Sequence, residues 1–214
     1  MIRLLMADDH QLVRDGLRQI LAAVPDIEVA AEAATGDEVL ALVRADDFDL
    51  ALIDMSMPGL AGIQLIKRIK LEKPLLPVLV LSMHGEHQYA ARALKAGASG
   101  YLTKDSASEQ LVGAIRKVAS GGVHITEAAA ASLMADTGKG NAPAHTQLSD
   151  REFEIFRMLA GGRGPTEIAG QLRLSVKTVS THKTRILEKM NLGSVAELVR
   201  YALEHGLLDR NPGS

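Results

Sequence analysis

The chain contains no cysteine. That excludes a disulfide framework, a thiolate metal site and a cysteine nucleophile, and nothing points to an oxidising compartment. Long apolar runs are missing too, and none in the 214 residues reaches membrane-spanning length. The opening MIRLLMADDH sets the acidic pair Asp8-Asp9 where a secretory leader would need its apolar stretch to continue. The expectation is a soluble, cytoplasmic protein that does not engage a membrane. Neither sign of charge dominates: 24 Lys and Arg stand against 26 Asp and Glu, a formal net charge of −2.

What is present is distributed unevenly. Residues 1–125 hold 16 acidic and 13 basic side chains, whereas residues 148–214 hold 8 and 10. Arg173, Lys177, Lys183, Arg185 and Lys189 crowd into a short segment whose only acid is Glu188. Such a local basic patch signals nucleic acid more strongly than the mildly acidic whole argues against it. A hydrophobic share of 47% supplies ordinary cores, and the length suits one or two domains.

From residue 1 to 120 short β-like runs alternate with helical ones. Strands are expected at Ile2–Ala7, Ile27–Ala33, Leu50–Asp54, Val78–Ser82 and Gly100–Thr103, with helices near 11–23, 36–45, 61–71, 86–96 and 106–120. Five βα units predict a doubly wound, five-stranded parallel sheet covered by helices on both faces. A short helix at 126–136 and a Gly/Pro/Asn-rich linker at 137–145 follow, so residues 121–147 read as the connection between domains. From Leu148 to Ser214 only helices are visible, which predicts a small all-α domain of four. Ser149 with Glu152 forms a capping box, Pro165 suits a first helical position, and Ser175 and Ser194 can cap two more helices. A short helix, a tight turn and a longer basic helix make a helix-turn-helix.

In the first half each of four strands runs into a chemically useful group: Asp8-Asp9, Asp54, Ser82 and Lys104. Any one alone is ordinary turn chemistry. In parallel strands, however, their carboxyl ends share the edge where open α/β sheets bind ligands. Asp9 and Asp54 could ligate a hard cation such as Mg²⁺ directly, Asp8 through water, and the backbone carbonyl of Ser56 could add a ligand. A phosphoryl group on Asp54 would find counter-charge in that cation, in the Lys104 ammonium and in the Ser82 hydroxyl. Tyr101 reads as either a switch side chain or a half-buried strand aromatic, and His84 as an exposed loop residue.

Residues 1–120 resemble the receiver domain of two-component response regulators, a flavodoxin-like fold. The residues that carry the likeness are Asp8-Asp9, Asp54-x-x-Met57-Pro58-x-x-x-Gly62, Ser82, Tyr101 and Lys104. The resemblance implies that Asp54 accepts a phosphoryl group from a sensor histidine kinase, with Mg²⁺ held by Asp8, Asp9 and Asp54. It further implies that Ser82 and Tyr101 move on phosphorylation. Asp105 stands where many receivers have Pro.

On a helix starting at Val176, Val179, Ile186 and Met190 form one inward stripe, opposite Lys177, Ser180, Thr181, Thr184 and Glu188. Hydroxyl side chains there can meet base edges in a major groove, and Lys177, Lys183 and Arg185 can meet phosphates. Residues 148–208 resemble the LuxR-type output domain of the NarL/FixJ group. The likeness rests on Leu148-Ser149-x-Arg151-Glu152, Gly162, Glu167-Ile168-Ala169, Leu172, Leu174-Ser175, Thr178-Val179-x-x-His182 and Ile186-x-x-Lys189-Met190. Gly164-Pro165 replaces a common Ser-Asn, and Ser180 a common Lys. Double-stranded DNA is the implied partner, and Lys177, Ser180, Thr181, His182, Lys183, Thr184 and Arg185 are the candidate contacts.

The leading expectation is a transcription factor in which Asp54 phosphorylation shifts domain arrangement and dimerisation. An alternative is a receiver switched by protein or ligand contacts without phosphate. An aspartate-nucleophile phosphatase is a third reading. Against it, Ser56 stands two beyond Asp54 where a second acid/base is wanted, and no cap insertion follows. Beyond slow loss of its own phosphoryl group, no enzyme activity is expected.

Overall fold

The computed structural model describes residues 1–82, 87–104, 106, 108–126, 130 and 143–208. His84, Asp105, the linker through residue 142 and most of the helix expected at 126–136 lie outside them. The chain divides into two compact units, Met1–Ala130 and Ala131–Ser214.

In the first unit β1 (Ile2–Ala7), β2 (Ile27–Ala33), β3 (Leu50–Asp54), β4 (Val78–Ser82) and β5 (Gly100–Thr103) form one parallel sheet in the order β2-β1-β3-β4-β5. The chain steps from β1 outward to β2 and then back across to β3, so β1 and β3 flank the point where the winding reverses. Their registers pair Ala7 with Ile53, Asp54 with Leu81 and Ser82 with Thr103. Asp8, Asp54, Ser82 and Lys104 therefore reach the same edge.

Every residue of β3 and β4 is buried, as a strand covered on both faces requires. One face carries Leu4, Met6, Leu50, Leu52, Leu79, Leu81 and Leu102, packed with Leu21 of α1 (Gln11–Ala22) and with Leu111, Ile115 and Val118 of α5 (Ser108–Ala119). The alternate residues Leu5, Ala51, Ile53, Val78 and Val80 are equally buried. The buried stripes of α2 (Gly36–Ala45), α3 (Gly62–Glu72) and α4 (His87–Lys95) complete that second layer, α2 packing on α3 and α3 on α4.

This unit continues past residue 120, where the sequence reading placed the linker. His124 donates its N–H to the Ser99 carbonyl at 3.0 Å and accepts the Tyr101 N–H at 2.9 Å, forming a parallel bridge beside Gly100. A Cβ at residue 100 would stand 2.8 Å from Leu79 Cδ1 and 3.0 Å from the His124 carbonyl oxygen, so glycine admits the added backbone.

The second unit begins before Leu148. A 3₁₀ turn at Ala144–Gln147 buries His145 completely, with its Nδ1 2.8 Å from Tyr201 Oη. Residues 143–147 thus belong to the helical unit rather than to the linker. The turn leads into α6 (Asp150–Ala160), α7 (Pro165–Leu172), α8 (Val176–Met190) and α9 (Val195–Glu204), the expected four helices. Ser149 and Glu152 close a full capping box, Ser175 and Ser194 cap α8 and α9, and Pro165 opens α7. Phe153, Phe156, Leu159, Ile168, Val179, Ile186 and Leu198 make the core. Among the described residues no helix is long and apolar enough to cross a membrane.

Candidate functional site

The backbone pins the strand ends together. Asp8 N–H donates to the Ala33 carbonyl at 3.1 Å, Met55 N–H to Leu81 at 3.1 Å and Lys104 N–H to Ser82 at 2.8 Å. Gly62, with φ +55° at the start of α3, takes a left-handed backbone conformation that a residue with a side chain rarely adopts.

Asp8 and Asp54 are each 1% exposed, and Lys104 reaches between them. Its ammonium donates to Asp8 Oδ2 at 2.5 Å and stands 3.1 Å from Asp54 Oδ1. Neither Asp54 oxygen accepts a hydrogen bond of good geometry, and the same holds for Asp9 Oδ1. Burial pushes the Asp54 carboxyl above the usual carboxylate range and the nearby Asp8 charge adds to the effect, with Lys104 opposing both. Unsatisfied buried oxygens of this kind are costly unless something supplies positive charge. Ser82 is wholly buried, and Tyr101 is buried two residues before Thr103, Ser82's neighbour on β5. Ser56 lies in the turn after β3, half-buried.

Two residues here escaped the sequence reading. His10 Nδ1 lies 2.9 Å from Asp9 Oδ1, and Asp8, Asp9, His10 and Asp54 each offer a ligand atom within 4.8 Å of the others. Its position directly after Asp8-Asp9 was the available signal. Arg14, in the first turn of α1, donates to the Asp8 carbonyl at 2.6 Å and fixes the β1–α1 loop, a contact that no motif advertises.

The second unit presents α8 as expected on most counts. Val179, Ile186 and Met190 are buried, while Lys177, Thr181, Thr184, Arg185 and Glu188 are exposed and Ser180 half-exposed. The Thr181 and Thr184 hydroxyls donate to the carbonyls of Lys177 and Ser180, at 3.0 and 3.2 Å, so their oxygens remain free to accept. His182, another of the candidate contacts, is half-buried. It falls three residues after Val179 and four before Ile186, on the core side, and its Nδ1 is buried without a hydrogen-bond partner. Burial lowers its pKa, with Arg151 and Arg185 adding and Glu152 opposing. Lys183 flanks the same stripe and is half-exposed. Lys189 belongs to the frame: its ammonium holds the buried Glu152 carboxylate at 2.6 Å and ties α8 to α6.

Residues 4–116 match the response regulator receiver domain family, and residues 146–202 match the luxR family of bacterial regulatory proteins. The chain is 37% identical to the response regulator UvrY of Escherichia coli K12, over 97% of this chain and 96% of that protein. It is 39% identical to the oxygen regulatory protein NreC of Staphylococcus carnosus, over 97% of this chain and all of that one. RcsB from Salmonella enterica serovar Typhimurium, solved bound to promoter DNA in the presence of the phosphomimetic BeF₃⁻, superposes with a TM-score of 0.68. The two are 28% identical over 94% of this chain and 98% of RcsB. With both family matches in their expected order and near-complete coverage by its relatives, the chain belongs to the NarL/FixJ group of response regulators, a receiver domain joined to a LuxR-type DNA-binding domain.

Proposed function

We propose that Asp54 is the phosphoacceptor of a cytoplasmic two-component system and that its phosphorylation controls binding of α8 to double-stranded DNA. The observation that carries this is the buried Asp54 carboxylate at a strand end, with the Lys104 ammonium 3.1 Å from its Oδ1 and Asp8 on the other side of that ammonium. An Asp54 oxygen attacks the phosphorus of a phosphohistidine on a sensor kinase. The P–N bond breaks, an acyl phosphate forms, and the imidazole leaves with a proton taken from solvent. Lys104 then bonds a phosphoryl oxygen, and the Ser82 hydroxyl donates to another.

The donor set fits Mg²⁺, an ion that takes oxygen ligands and keeps several waters. Asp9, Asp54 and the Ser56 carbonyl would hold it, Asp8 through water, and it would neutralise the phosphoryl oxygens. Lys104 exchanges part of its contact with Asp8 for the phosphoryl group. Ser82 and Tyr101, on the face of the sheet toward α4, follow that rearrangement, which biases the chain toward a homodimer that spans paired half-sites. The pocket serves as a signal and not as a turnover site: its hydrolytic chemistry is confined to slow loss of its own phosphoryl group.

Incubation with a small phosphodonor and Mg²⁺ tests the acceptor. A mass increase of one phosphoryl group on the wild type, absent from Asp54→Ala, is the expected result. Unmodified wild type whose DNA binding still responds to a protein partner would favour the phosphate-independent reading instead.

A further inference from the structure

Several helices of the chain end in a left-handed turn made by a residue suited to it. Gly97, Gly121, Gly162 and Gly206 have positive φ after α4, α5, α6 and α9. Asn191, whose short polar side chain tolerates the same backbone, has φ +53° after α8. Arg173, after α7, is the exception among the described residues, with φ +51° and ψ +44° under a long side chain. Its turn is a complete Schellman motif: the Arg173 N–H donates to the Gly170 carbonyl at 3.3 Å and the Leu174 N–H to Ala169 at 2.9 Å. Glycine would close this turn without crowding a Cβ against the following carbonyl oxygen.

Service to α7 does not account for the arginine. A cation near a helix C-terminus can bond its last carbonyls, but Arg151 of α6 already donates to the Leu172 carbonyl at 3.2 Å. The place of the turn is what sets it apart, because it joins the two helices of the helix-turn-helix. Arg173 stands two residues before Ser175, whose hydroxyl caps α8 by accepting the Thr178 N–H at 3.0 Å. Arg173, Ser175, Val176 and Lys177 are all exposed, so the arginine continues the outward face of α8 beyond its first residue. In the docking of this motif the first helix crosses the phosphate backbone and the second enters the groove by its N-terminal residues, which sets the turn beside phosphates. A guanidinium grips a phosphate through two parallel N–H bonds, whatever the base. We propose that Arg173 is a phosphate clamp that fixes the register of α8 on double-stranded DNA, and that the crowded turn is kept for that contact. The proposal rests on the reading of α8 as the DNA-binding helix.

Phosphate contacts carry no sequence choice, so a fluorescein-labelled duplex of mixed sequence serves as the probe. Full-length wild type, Arg173→Gly, Arg173→Lys and Lys177→Ala are compared by anisotropy over a salt series and by urea unfolding. Arg173→Gly is expected to unfold at an equal or higher urea concentration, since glycine relaxes the turn, yet to bind several-fold more weakly at low salt. Its slope of log affinity against log salt should fall by about 1 for each bound protomer. Arg173→Lys keeps the charge on the same backbone and should retain the slope. An unchanged slope in Arg173→Gly, or a lower unfolding midpoint, overturns the proposal. So does a loss of slope that Arg173→Lys shares in full, which would reduce the residue to a part of the turn. If Lys177→Ala also leaves the slope unchanged, the reading of α8 itself fails, a result distinct from failure of the Arg173 assignment.

Discussion

Asp54 illustrates how a functional residue works against its fold. Its pKa is raised by burial, so its carboxyl favours folding below the ordinary aspartate pKa and loses that contribution as pH rises through the folded value. At neutral pH the ionised group therefore costs stability. Asp54→Asn should raise the stability of the receiver unit by about 1 kcal/mol, the scale of a typical stabilising substitution, while abolishing phosphorylation. Thermal unfolding at pH 7 measures it, and added Mg²⁺ should narrow the gap by stabilising only the wild type. On α8 the residues divide by role. Lys177→Ala should weaken binding similarly across DNA sequences and lower the salt slope by about 1, whereas Thr181→Val should change the preferred base at one position. Fluorescence anisotropy over a salt series separates these outcomes.

Among the elements, the α6–α8 pairing depends on one buried carboxylate. Burial would raise the Glu152 pKa, but the Lys189 ammonium and the Ser149 N–H outweigh it and hold it below the usual glutamate range. Stability from this contact is present above the ordinary glutamate pKa and lost as pH falls through the depressed value. Glu152→Gln should flatten the acid limb of unfolding of the DNA-binding unit, read by circular dichroism. Lys189 is 42% exposed, so Lys189→Met should cost only about 1 kcal/mol. The edge of β5 makes a second test. Gly100→Ala drives a methyl into Leu79 and the His124 backbone and should destabilise the receiver unit by about 1–3 kcal/mol in urea unfolding, as overpacking does.

The same elements show what the sequence made legible. The two central strands β3 and β4 are announced by apolar runs that stop at a polar group, because a doubly covered parallel strand must be apolar to its end. Four helix starts in the second unit are announced by Ser or Pro. The boundaries were not legible. Val123-His124 is too short for a strand pattern, and its pairing depends on a glycine at residue 100, far back in the chain. His145 sits in a stretch with linker composition, yet is buried by Tyr201 and Phe153, long-range partners that local composition does not register. The helical phase of His182 sets it beside Val179 and Ile186, which its place in the motif does not show.

At the scale of the whole molecule, an acidic pocket and a basic reading helix occupy one chain, and the account couples them through phosphorylation. The coupling is a free energy between two sites, of a size that shifts DNA affinity by about 5–150-fold. Its most direct measurement is the affinity of full-length protein for a duplex with two half-sites, with and without beryllofluoride and Mg²⁺, for the wild type and Asp54→Ala. The account predicts at least about tenfold tighter binding of the activated wild type, with the dimer as the bound species, and no response from Asp54→Ala. Equal affinities for the wild type in both states, or a response that survives in Asp54→Ala, would contradict it.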